Sequence, residues 1–480
     1  MKKYKIIAAI LICWSLCAVT TFAETQTGTK TSQPPPVKLI EPDKLKEDLD
    51  FILKNIDEIH PNMYAYISKE EFNTLKIETY EKLNKPLNDL EYYIAIAPLV
   101  AEIRNGHTRL RPNKKVLSFL QSEITKAYPI EIDCTRGSIF IKGYYGLLDF
   151  PMGKILEINN RNAMAYLKQI CRYKAVEHKN YDLTLAEKGG LTVLMWLDNG
   201  QMKPVNLKVK SEQGQIHNLT IDVVEASEIK KMITSRKSTK AKPEHFEFTH
   251  DKENNVAIMT IKGFSSQHLE KFKVFLEKHF SYIHEKNIKN LIIDIRDNGG
   301  GSTNLSWELI SCLTDKPFKL YSKIMIKLSK QIEGKLWPKV TKEDEGKVIE
   351  FERSDKIPNR SYQVFRGKTY LLINRNTFST ALDLAVVLQY YSLAILVGEE
   401  TKDTPSGYGE VVILEAPNTK MQLQVSAKYF EALGDKKDGR GVVPDYEVYP
   451  KPQDSARGVD TVLQFTLNLI KESNSKSLRK

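Results

Sequence analysis

A glycine-rich loop directly follows an apolar run in the second half of the chain. The run Leu291–Ile295 leads into Arg-Asp-Asn-Gly-Gly-Gly-Ser at 296–302. Glycines let backbone N–H groups approach a ligand without an obstructing Cβ, and successive N–H groups ahead of a helix form an anion site or an oxyanion hole. A tight turn between a strand and a helix would have the same composition, so this loop alone leaves both interpretations open.

A second loop, at 374–381, places a serine where a strand is expected to give way to a helix. Ser379 would then lie at the carboxyl edge of a sheet, with its hydroxyl near the positive end of the following helix dipole. That position favours developing negative charge, as at a serine nucleophile. It suits equally well a serine that only caps the helix.

A serine nucleophile needs a base and usually a group that orients the base. Among the nine histidines, His107 stands apart because it directly follows a glycine at the end of an amphipathic helix, in the run Arg-Asn-Gly-His-Thr at 104–108. Asp438 is a loop carboxylate able to orient an imidazole, whereas Asp445 follows a proline and suits a structural turn. Both His107 and Asp438 also admit plain structural interpretations.

The elements expected to position these residues form an α/β domain at 247–470. Strands are predicted at Val256–Ile261, Leu291–Ile295, Thr369–Ile373 and Leu393–Val397, and helices at Leu269–Glu285, Leu305–Leu313 and Ala381–Tyr391. Nearly continuous apolar strands that alternate with helices are typical of a mainly parallel sheet covered on both faces. Residues 471–480 are predicted to be a basic tail.

Two smaller regions precede this domain. Residues 38–115 predict a helical domain of three helices, the first after Asp43, the others at about 69–85 and 88–104, from apolar residues at helical spacing. Residues 120–225 predict a β-rich module, with strands at 138–143, 153–159, 191–197, 205–209 and 219–224 and a helix at 163–173. Polar linkers are predicted at 24–37 and 226–246.

The amino terminus is typical of a secretory signal peptide at 1–23. Three lysines precede an apolar stretch, and small residues in Thr-Phe-Ala at 21–23 predict cleavage after Ala23. The apolar stretch is shorter than the roughly 20 residues that span a bilayer. We therefore expect an exported protein, periplasmic or secreted, which contacts a membrane only if the signal is retained or lipidated.

Composition and charge exclude several classes of protein. With 480 residues, 41% hydrophobic and 27% charged, the chain is globular and long enough for several domains. Its net charge of +11 is scattered, without a dense basic block among aromatics, which argues against nucleic-acid binding. Beyond the signal, Cys134, Cys171 and Cys312 form no metal or redox pattern and allow one disulfide at most.

Taken together, the loops resemble those of the S41 peptidases, the family of the C-terminal processing proteases and the tricorn core protease. The resemblance lies in Asp294–Gly301, in Asn376–Ala381, in Val397–Thr401, in Gly441–Asp445 and in the Asn-Gly-His-Thr motif at 105–108. The module at 120–225, with Gly-Lys-Ile-Leu-Glu-Ile-Asn at 153–159, resembles the PDZ-like insert of the family. The resemblance implies a multidomain α/β protein with a crotonase/ClpP-like catalytic domain.

The family has two catalytic designs, and this sequence resembles the tricorn-like one. The lysine of the Ser–Lys design would fall at position 404, which is Thr404, and Leu382 stands where that subgroup has glutamate. The tricorn-like design implies Ser379 as nucleophile, His107 as base and Asp438, where tricorn-like members carry glutamate, as the orienting carboxylate. It also implies Gly299 or Gly300, together with Thr380, as oxyanion donors.

The resemblance therefore implies an exported serine endopeptidase that needs no metal or cofactor. Its partner would be a peptide or protein, bound through strand addition near the carboxyl terminus. Two alternatives remain: a non-catalytic peptide- or ligand-binding protein on the same fold, and a crotonase-like acyl-CoA enzyme, against which the export signal argues.

Overall fold

The computed structural model describes residues 38–135, 137–145, 151–177, 182–236, 244–352, 354–451, 454 and 458–477. The predicted signal peptide at 1–23 and linker at 24–37 lie outside these residues, as do residues 478–480 of the predicted tail. Within the described part, no helix has both the length and the apolar character needed to cross a membrane.

The chain folds into two compact units that are discontinuous in sequence. The first unit comprises Met1–Thr239, Leu328–Gly346 and Glu410–Ala427, and the second comprises Lys240–Lys327, Lys347–Gly409 and Lys428–Lys480. The region predicted as a catalytic domain at 247–470 therefore supplies two of its segments to the first unit.

The first unit begins with the predicted helices, which the structure confirms. They are α1 (Pro42–Ile59), α2 (Lys69–Lys82) and α3 (Asp89–Ala101). Ser68 and Asn88 begin α2 and α3 with capping boxes, in which each cap accepts a backbone N–H and a glutamate three residues on accepts the cap's own N–H. A fourth helix, α4 (Lys114–Glu123), was not predicted.

The β-rich module of the first unit is an antiparallel sheet. Its strands are β3 (Ile130–Thr135), β4 (Ser138–Tyr144), β5 (Gly153–Ile158), β7 (Val205–Ser211) and β8 (Ile216–Ile221) in that order, with β6 (Arg161–Asn162) beside β5. Two short strands, β2 (Lys126–Ala127) and β9 (Val224–Glu225), pair separately. The predicted helix is present as α5 (Ala163–Ile170).

The strand predicted at 191–197 is wrong, because this segment is helix α6 (Gly190–Asn199). The helix is buried from Gly190 to Leu197. An apolar run that is buried on every side has no periodicity to distinguish helix from strand. The decisive signal lies in the flanking glycines, since Gly189 (φ 90°) and Gly200 (φ 70°) adopt left-handed backbone at the two ends.

The linker predicted at 226–246 is also wrong in part. Residues Ala226–Arg236 form helix α7, and Ile229 is 8% exposed. The lysines and serines of this segment suggested a linker, but they are also compatible with one solvated helix face opposite a buried isoleucine. Polar composition alone therefore did not exclude a helix.

The second unit contains the predicted α/β sheet. Its strands are β10 (Phe246–Asp251), β11 (Val256–Ile261), β12 (Asn290–Asp294), β15 (Lys368–Ile373), β16 (Ile395–Gly398) and β19 (Tyr446–Glu447), in that order. All neighbours are parallel except β10 and β11. The helices are α8 (Leu269–Glu285), α9 (Thr303–Ser311), α10 (Thr380–Tyr390) and α11 (Thr461–Ser477), so residues 471–477 of the predicted tail are helical.

Both faces of this sheet are covered, which explains the continuous apolar strands. Leu291 and Ile293 belong to one core cluster, with residues of α8, α9 and α10. Ile292, between them, belongs to a second cluster on the other face, with Val462 and Ile470 of α11. Because successive side chains of a strand point to opposite faces, the apolar positions 291–293 of β12 are buried alternately by one cluster and the other.

Among the described residues, two of the remaining strands contain a boundary between the units, so that one part of each strand belongs to each unit. In the second unit, β13 (Lys323–Lys327) pairs with β14 (Val348–Glu352) and with residues 428–431 of β18 (Gln422–Glu431). In the first unit, residues 422–424 of β18 pair with β1 (Arg109–Arg111). Strand β17 (Gly407–Glu415) pairs with β18.

The three cysteines beyond the predicted signal are buried, and none forms a disulfide. Cys134 and Cys171 belong to the first unit and Cys312 to the second. Burial raises the pKa of the Cys171 and Cys312 thiols well above their usual value.

Candidate active site

Ser379 occupies a sharp turn between β15 and α10. Its φ of 54° and ψ of −131° are unusual for a residue with a side chain. Such a conformation stores strain and persists only where the surroundings enforce it. Ser379 precedes the first residue of α10, yet its side chain makes no capping hydrogen bond, and it is partly exposed. The interpretation of Ser379 as a simple helix cap is therefore wrong.

Side-chain hydrogen bonds connect this turn to the glycine-rich loop. Asp297 accepts a hydrogen bond from Asn376 Nδ2 at 2.9 Å and from Asn374 Nδ2 at 3.2 Å, and Asn374 Oδ1 accepts the Asp297 N–H at 3.0 Å. Thr377 Oγ1 donates to the carbonyl of Ile295 at 3.2 Å. These bonds fix the relative position of two loops that follow adjacent parallel strands, β12 and β15.

Gly300 lies directly against the serine turn. A Cβ at this position would be 2.7 Å from the Phe378 carbonyl oxygen, 2.8 Å from Ser379 Cβ and 2.8 Å from the Thr380 nitrogen. Its φ of 87° is also left-handed. Only glycine therefore permits this approach. Gly301 is equally constrained, since a Cβ there would be 2.2 Å from the Phe264 carbonyl oxygen.

The N–H groups of the glycine loop have different environments. Gly300 N–H donates to Oδ1 of the buried Asn298 at 2.9 Å, and Asn298 Nδ2 donates to the Ile261 carbonyl at 2.9 Å. The Gly300 N–H is thus engaged inside the loop, whereas Gly299 is exposed and a Cβ there would meet nothing within 4 Å. Thr380 Oγ1 donates to the Gly301 carbonyl at 2.8 Å, which orients the first turn of α10.

An arginine that the sequence analysis did not single out anchors the start of the loop. Arg296 Nε and Nη2 donate to Asp294 at 2.9 and 2.6 Å, and Nη1 and Nη2 donate to Asp460 at 2.9 and 2.6 Å. Burial opposes the charged guanidinium, but the two carboxylates outweigh it and raise the pKa of Arg296. Bidentate pairs of this kind hold geometry as well as charge.

A carboxylate in the first turn of α10 was also missed. Asp383 lies four residues after Ser379, its N–H donates to the Ser379 carbonyl at 2.9 Å, and Tyr321 donates its hydroxyl to Asp383 Oδ2 at 2.6 Å. Burial raises the pKa of Asp383 to about 7, although the Tyr321 hydrogen bond lowers it. Nothing in the sequence marks this aspartate, since acidic residues are common in the first turn of a helix.

Asp438 lies in the second unit, on an exposed loop before β19. Its Oδ1 accepts the Arg440 N–H at 2.9 Å. Glu400 accepts the Gly441 N–H at 2.8 Å and the Arg440 guanidinium at 2.5 Å, which holds the end of this loop. Asp445 Oδ2 accepts the Leu396 N–H at 2.8 Å, so the structural interpretation of Asp445 is confirmed.

His107 lies in the first unit, in the loop between α3 and β1. The helix ends at Ala101, so His107 is not a helix-terminal residue. Its flanking residues Gly106 and Thr108 are buried, while His107 itself is partly exposed. Gln424 Nε2, from β18, donates to the His107 carbonyl at 2.7 Å.

The structure thus brings together Gly299, Gly300, Ser379 and Thr380 on two adjoining loops of the second unit. Asp438 lies on a third loop of that unit, and His107 belongs to the first unit. The roles of His107 and Asp438 stay predictions. Among the described residues, no group of three histidine, cysteine or acidic side chains is placed to hold a metal ion.

Comparison with known proteins agrees with this architecture. Residues 255–448 match the family model described as peptidase family S41. The structure of mature CPAF complexed with lactacystin aligns with 91% of this chain and 98% of that chain, at 16% sequence identity and a TM-score of 0.58. The crystal structure of mature CPAF aligns with 86% and 94% of the two chains, at 16% identity and a TM-score of 0.54. No curated protein sequence matches.

The family match spans the strands that carry both loops of the candidate site, from β11 to β19. The likeness to the solved structures is one of fold. Residues 255–448 of this chain therefore resemble a domain of peptidase family S41.

Proposed function

We propose that this protein is an exported serine endopeptidase in which Ser379 is the nucleophile, His107 the general base and Asp438 the carboxylate that orients His107. The observation that carries the proposal is the backbone of Ser379, which is held at a φ of 54° against Gly300 at the start of α10. Strain of this kind at a serine that caps nothing is typical of a functional site.

The chemistry follows from the groups in these loops. Ser379 Oγ attacks the carbonyl carbon of a peptide bond while His107 accepts the hydroxyl proton. The C–N bond then breaks, and His107 passes that proton to the leaving amine. His107 then takes a proton from water, the hydroxide attacks the acyl carbon, the bond from that carbon to Ser379 Oγ breaks, and His107 returns the proton to Ser379 Oγ. Each proton that leaves a nucleophile therefore has a named acceptor.

The oxyanion of the tetrahedral intermediate needs preorganised donors. We assign this role to the Thr380 N–H, at the positive end of the α10 dipole, and to the N–H of the exposed residue Gly299. Gly300 would then act through its missing side chain, since its own N–H is engaged by Asn298. Removal of one oxyanion donor costs about 3–4 kcal/mol of transition-state stabilisation in other hydrolases.

Two serines at strand-to-helix junctions provide the test of the nucleophile. Ser302 is a true cap of α9, since its Oγ accepts the Asn304 N–H at 3.3 Å, whereas Ser379 caps nothing. We expect Ser379→Ala to abolish peptide hydrolysis and labelling by a fluorophosphonate with little change in melting temperature. Ser302→Ala should lower stability by about 1 kcal/mol and remain active. Hydrolysis by purified Ser379→Ala protein would refute the proposal.

His107 and Asp438 are tested separately because they act on the base. His107→Gln should abolish turnover, and Asp438→Asn should leave binding intact while lowering kcat. Unchanged kcat in Asp438→Asn would remove Asp438 from the mechanism without affecting Ser379.

Export and the mode of substrate binding rest on sequence alone. We propose that residues 1–23 direct export to the periplasm or the medium, with a mature protein that begins at Glu24. Amino-terminal sequencing of the exported protein tests this, and an intact Met1 would contradict it. We also propose that the β-rich module at 120–225 binds an extended peptide near its carboxyl terminus. Equal affinity for a peptide and its carboxyl-amidated form would contradict that mode.

A further inference from the structure

The turn at 105–108 that carries His107 is buried except for the histidine itself. Asn105 and Thr108 are each 1% exposed, and Gly106 is buried between them. The Thr108 N–H donates to the Asn105 carbonyl at 3.3 Å, which closes a four-residue turn with His107 at its third position. The position of the imidazole therefore depends on what holds Asn105 and Thr108.

The Asn105 side chain makes hydrogen bonds both within this turn and to residues outside it. Its Oδ1 accepts the Thr108 N–H at 2.7 Å and the Ser426 hydroxyl of β18 at 2.8 Å. Its Nδ2 donates to Glu177 Oε2 at 2.8 Å. All these residues belong to the first unit.

Glu177 determines which way the amide faces. Both oxygens of Glu177 accept a hydrogen bond, so the Asn105 NH₂ faces Glu177 and the amide oxygen faces the turn. Glu177 Oε1 accepts the hydroxyl of Tyr66 at 3.0 Å, which directs Oε2 toward Asn105. A reversed amide would place an NH₂ donor against the Thr108 N–H and an amide oxygen against the Glu177 carboxylate, so both of these hydrogen bonds would be lost.

The cost of this arrangement argues for a role beyond packing. Glu177 is 3% exposed, and burying a carboxylate is expensive unless its hydrogen bonds are well made. Three residues from distant parts of the sequence, Tyr66, Glu177 and Ser426, converge through Asn105 on a single turn in which only His107 is partly exposed. A pair of apolar residues would fill the same space at lower cost but would not fix the turn.

We propose that Asn105 and Glu177 are positioning residues for His107, in which the carboxylate fixes the amide and the amide fixes the turn that presents the imidazole. This inference rests on the proposed role of His107 as base. Neither residue contacts substrate; both act through the geometry of the turn.

A reciprocal exchange of the two side chains tests the proposal. In Asn105→Asp alone, two carboxylates face each other and the hydrogen bond is lost. In the double variant Asn105→Asp/Glu177→Gln, the amide introduced at position 177 donates to the carboxylate introduced at position 105, and its oxygen still accepts from Tyr66. The hydrogen bonds described above are then retained, with the one between positions 105 and 177 reversed in direction.

We expect Asn105→Asp to lower kcat about tenfold to a hundredfold with little change in KM, because the base is displaced while the binding groups are not. Glu177→Gln alone should have a smaller effect, since its oxygen can still accept from Asn105. The double variant should recover most of the lost kcat. Recovery of kcat at constant KM is a result that loss of general stability would not produce.

Asn113 provides a matched control. It is buried in the same unit, and its Nδ2 donates to the carboxylate of Asp89 at 2.7 Å. Asn113→Ala should lower the melting temperature as Asn105→Asp does, yet leave kcat unchanged. Circular dichroism at the assay temperature identifies any variant that is unfolded.

The outcomes separate this inference from the proposed function. If Asn105→Asp is folded and retains its kcat while His107→Gln is inactive, the positioning role is wrong and the base assignment stands. If the double variant fails to recover kcat although it is as stable as the wild type, the positioning role is likewise wrong. If His107→Gln is fully active, the base assignment itself fails.

Discussion

At the scale of single residues, the candidate site depends as much on atoms that are missing as on atoms that are present. The Ser379 turn lies so close to Gly300 that a single methyl group would overlap three of its atoms. The unusual backbone of Ser379 and the left-handed backbone of Gly300 therefore occur at the same close contact between the two loops. The Asn298 side chain keeps the loop in this form by accepting the Gly300 N–H.

The first prediction concerns this contact. Gly300→Ala places a Cβ 2.8 Å from Ser379 Cβ, so the turn must move. We expect a loss of about a hundredfold in kcat/KM, since a displacement of about 1 Å has that effect in catalytic sites. Gly263→Ala is the control, because a Cβ there meets nothing within 4 Å. A Gly300→Ala enzyme with normal kcat/KM would show that this close approach is dispensable.

The second prediction concerns Asp383 and pH. Its pKa is about 7 in the folded protein against 3.8 ordinarily, so between these values the folded state holds a proton that the unfolded chain has lost. Raising the pH through this window must therefore lower the free energy of unfolding, by at most about 1.4 kcal/mol per pH unit. Asp383→Asn should remove this dependence.

Tyr321→Phe should extend the pH dependence of stability, whereas Asp383→Asn should remove it. The Tyr321 hydroxyl stabilises the ionised carboxylate and lowers the pKa of Asp383, so its loss should raise that pKa and extend the window to higher pH. Urea unfolding across the acid-to-neutral range and beyond it measures all three proteins. Superimposable profiles for the wild type and Asp383→Asn would contradict the assignment.

Residue types and spacing were enough to predict the loops of this site but not the roles of their atoms. The sequence placed Ser379 and the glycines at strand ends, and the structure brings them together. It could not show that the Gly300 N–H is engaged by Asn298, because that depends on the conformation of the turn. Nor could it identify Asp383, since its burial and its Tyr321 partner come from tertiary packing.

At the scale of elements, helix α1 and the turn between β17 and β18 are joined by one buried carboxylate. Asp48, which is fully buried, accepts hydrogen bonds from Asn418 N and Nδ2, both at 2.9 Å, and from Thr419 N and Oγ1, at 2.7 and 2.6 Å. Four donors to one carboxylate satisfy its charge without a basic partner. The turn that leads into β18 is thus fixed to the helix.

The third prediction follows from this junction. Asp48→Ala leaves the buried Thr419 donors without their acceptor, which should cost about 3 kcal/mol in the free energy of unfolding. Amide exchange should rise first at 416–421. Asp43→Ala is the control, since that carboxylate lies in the first turn of the same helix and is exposed. Equal stability and exchange in the two variants would show that the junction contributes nothing.

At this scale, the type of an element was predictable where its apolar residues had a clear pattern or its first residues formed a capping box, and it was not predictable elsewhere. Helix α1 and strand β12 agree with their patterns because amphipathic spacing and a continuous apolar run both reflect burial, whereas α2 and α3 are marked by the capping boxes at which they begin. Helix α6 failed because an evenly buried run has no such pattern, and α7 failed because its polar face suggested a linker. Nothing in the amino-acid sequence of residues 328–346 and 410–427 indicated that these segments belong to the first unit.

At the scale of the whole molecule, the residues that match the family model do not coincide with either of the two compact units. Residues 255–448 include two segments that belong to the first unit. These segments are well buried there: Ile332, Val340, Met421, Leu423 and Val425 are all fully buried. Gln331 also donates to Asn55 at 2.9 Å and to Glu58 at 2.6 Å in α1.

The fourth prediction uses this interleaving. A fragment of residues 244–480 expressed alone would expose those apolar side chains, because the rest of the first unit is absent. We expect it to aggregate or to melt without a sharp transition in calorimetry. Co-expression with residues 38–236 should restore solubility. A soluble, monomeric 244–480 fragment with a cooperative transition would show that the two segments are not needed by their unit.

The buried thiols provide a way to measure local unfolding in each unit. Cys171 is inaccessible in the first unit and Cys312 in the second, and neither is disulfide-bonded. A thiol shielded in this way reacts with an alkylating reagent only when its surroundings open. The native chain therefore already contains a chemical reporter in each unit, and mass spectrometry of the peptides that carry Cys171 and Cys312 would reveal whether the two units open together or one before the other.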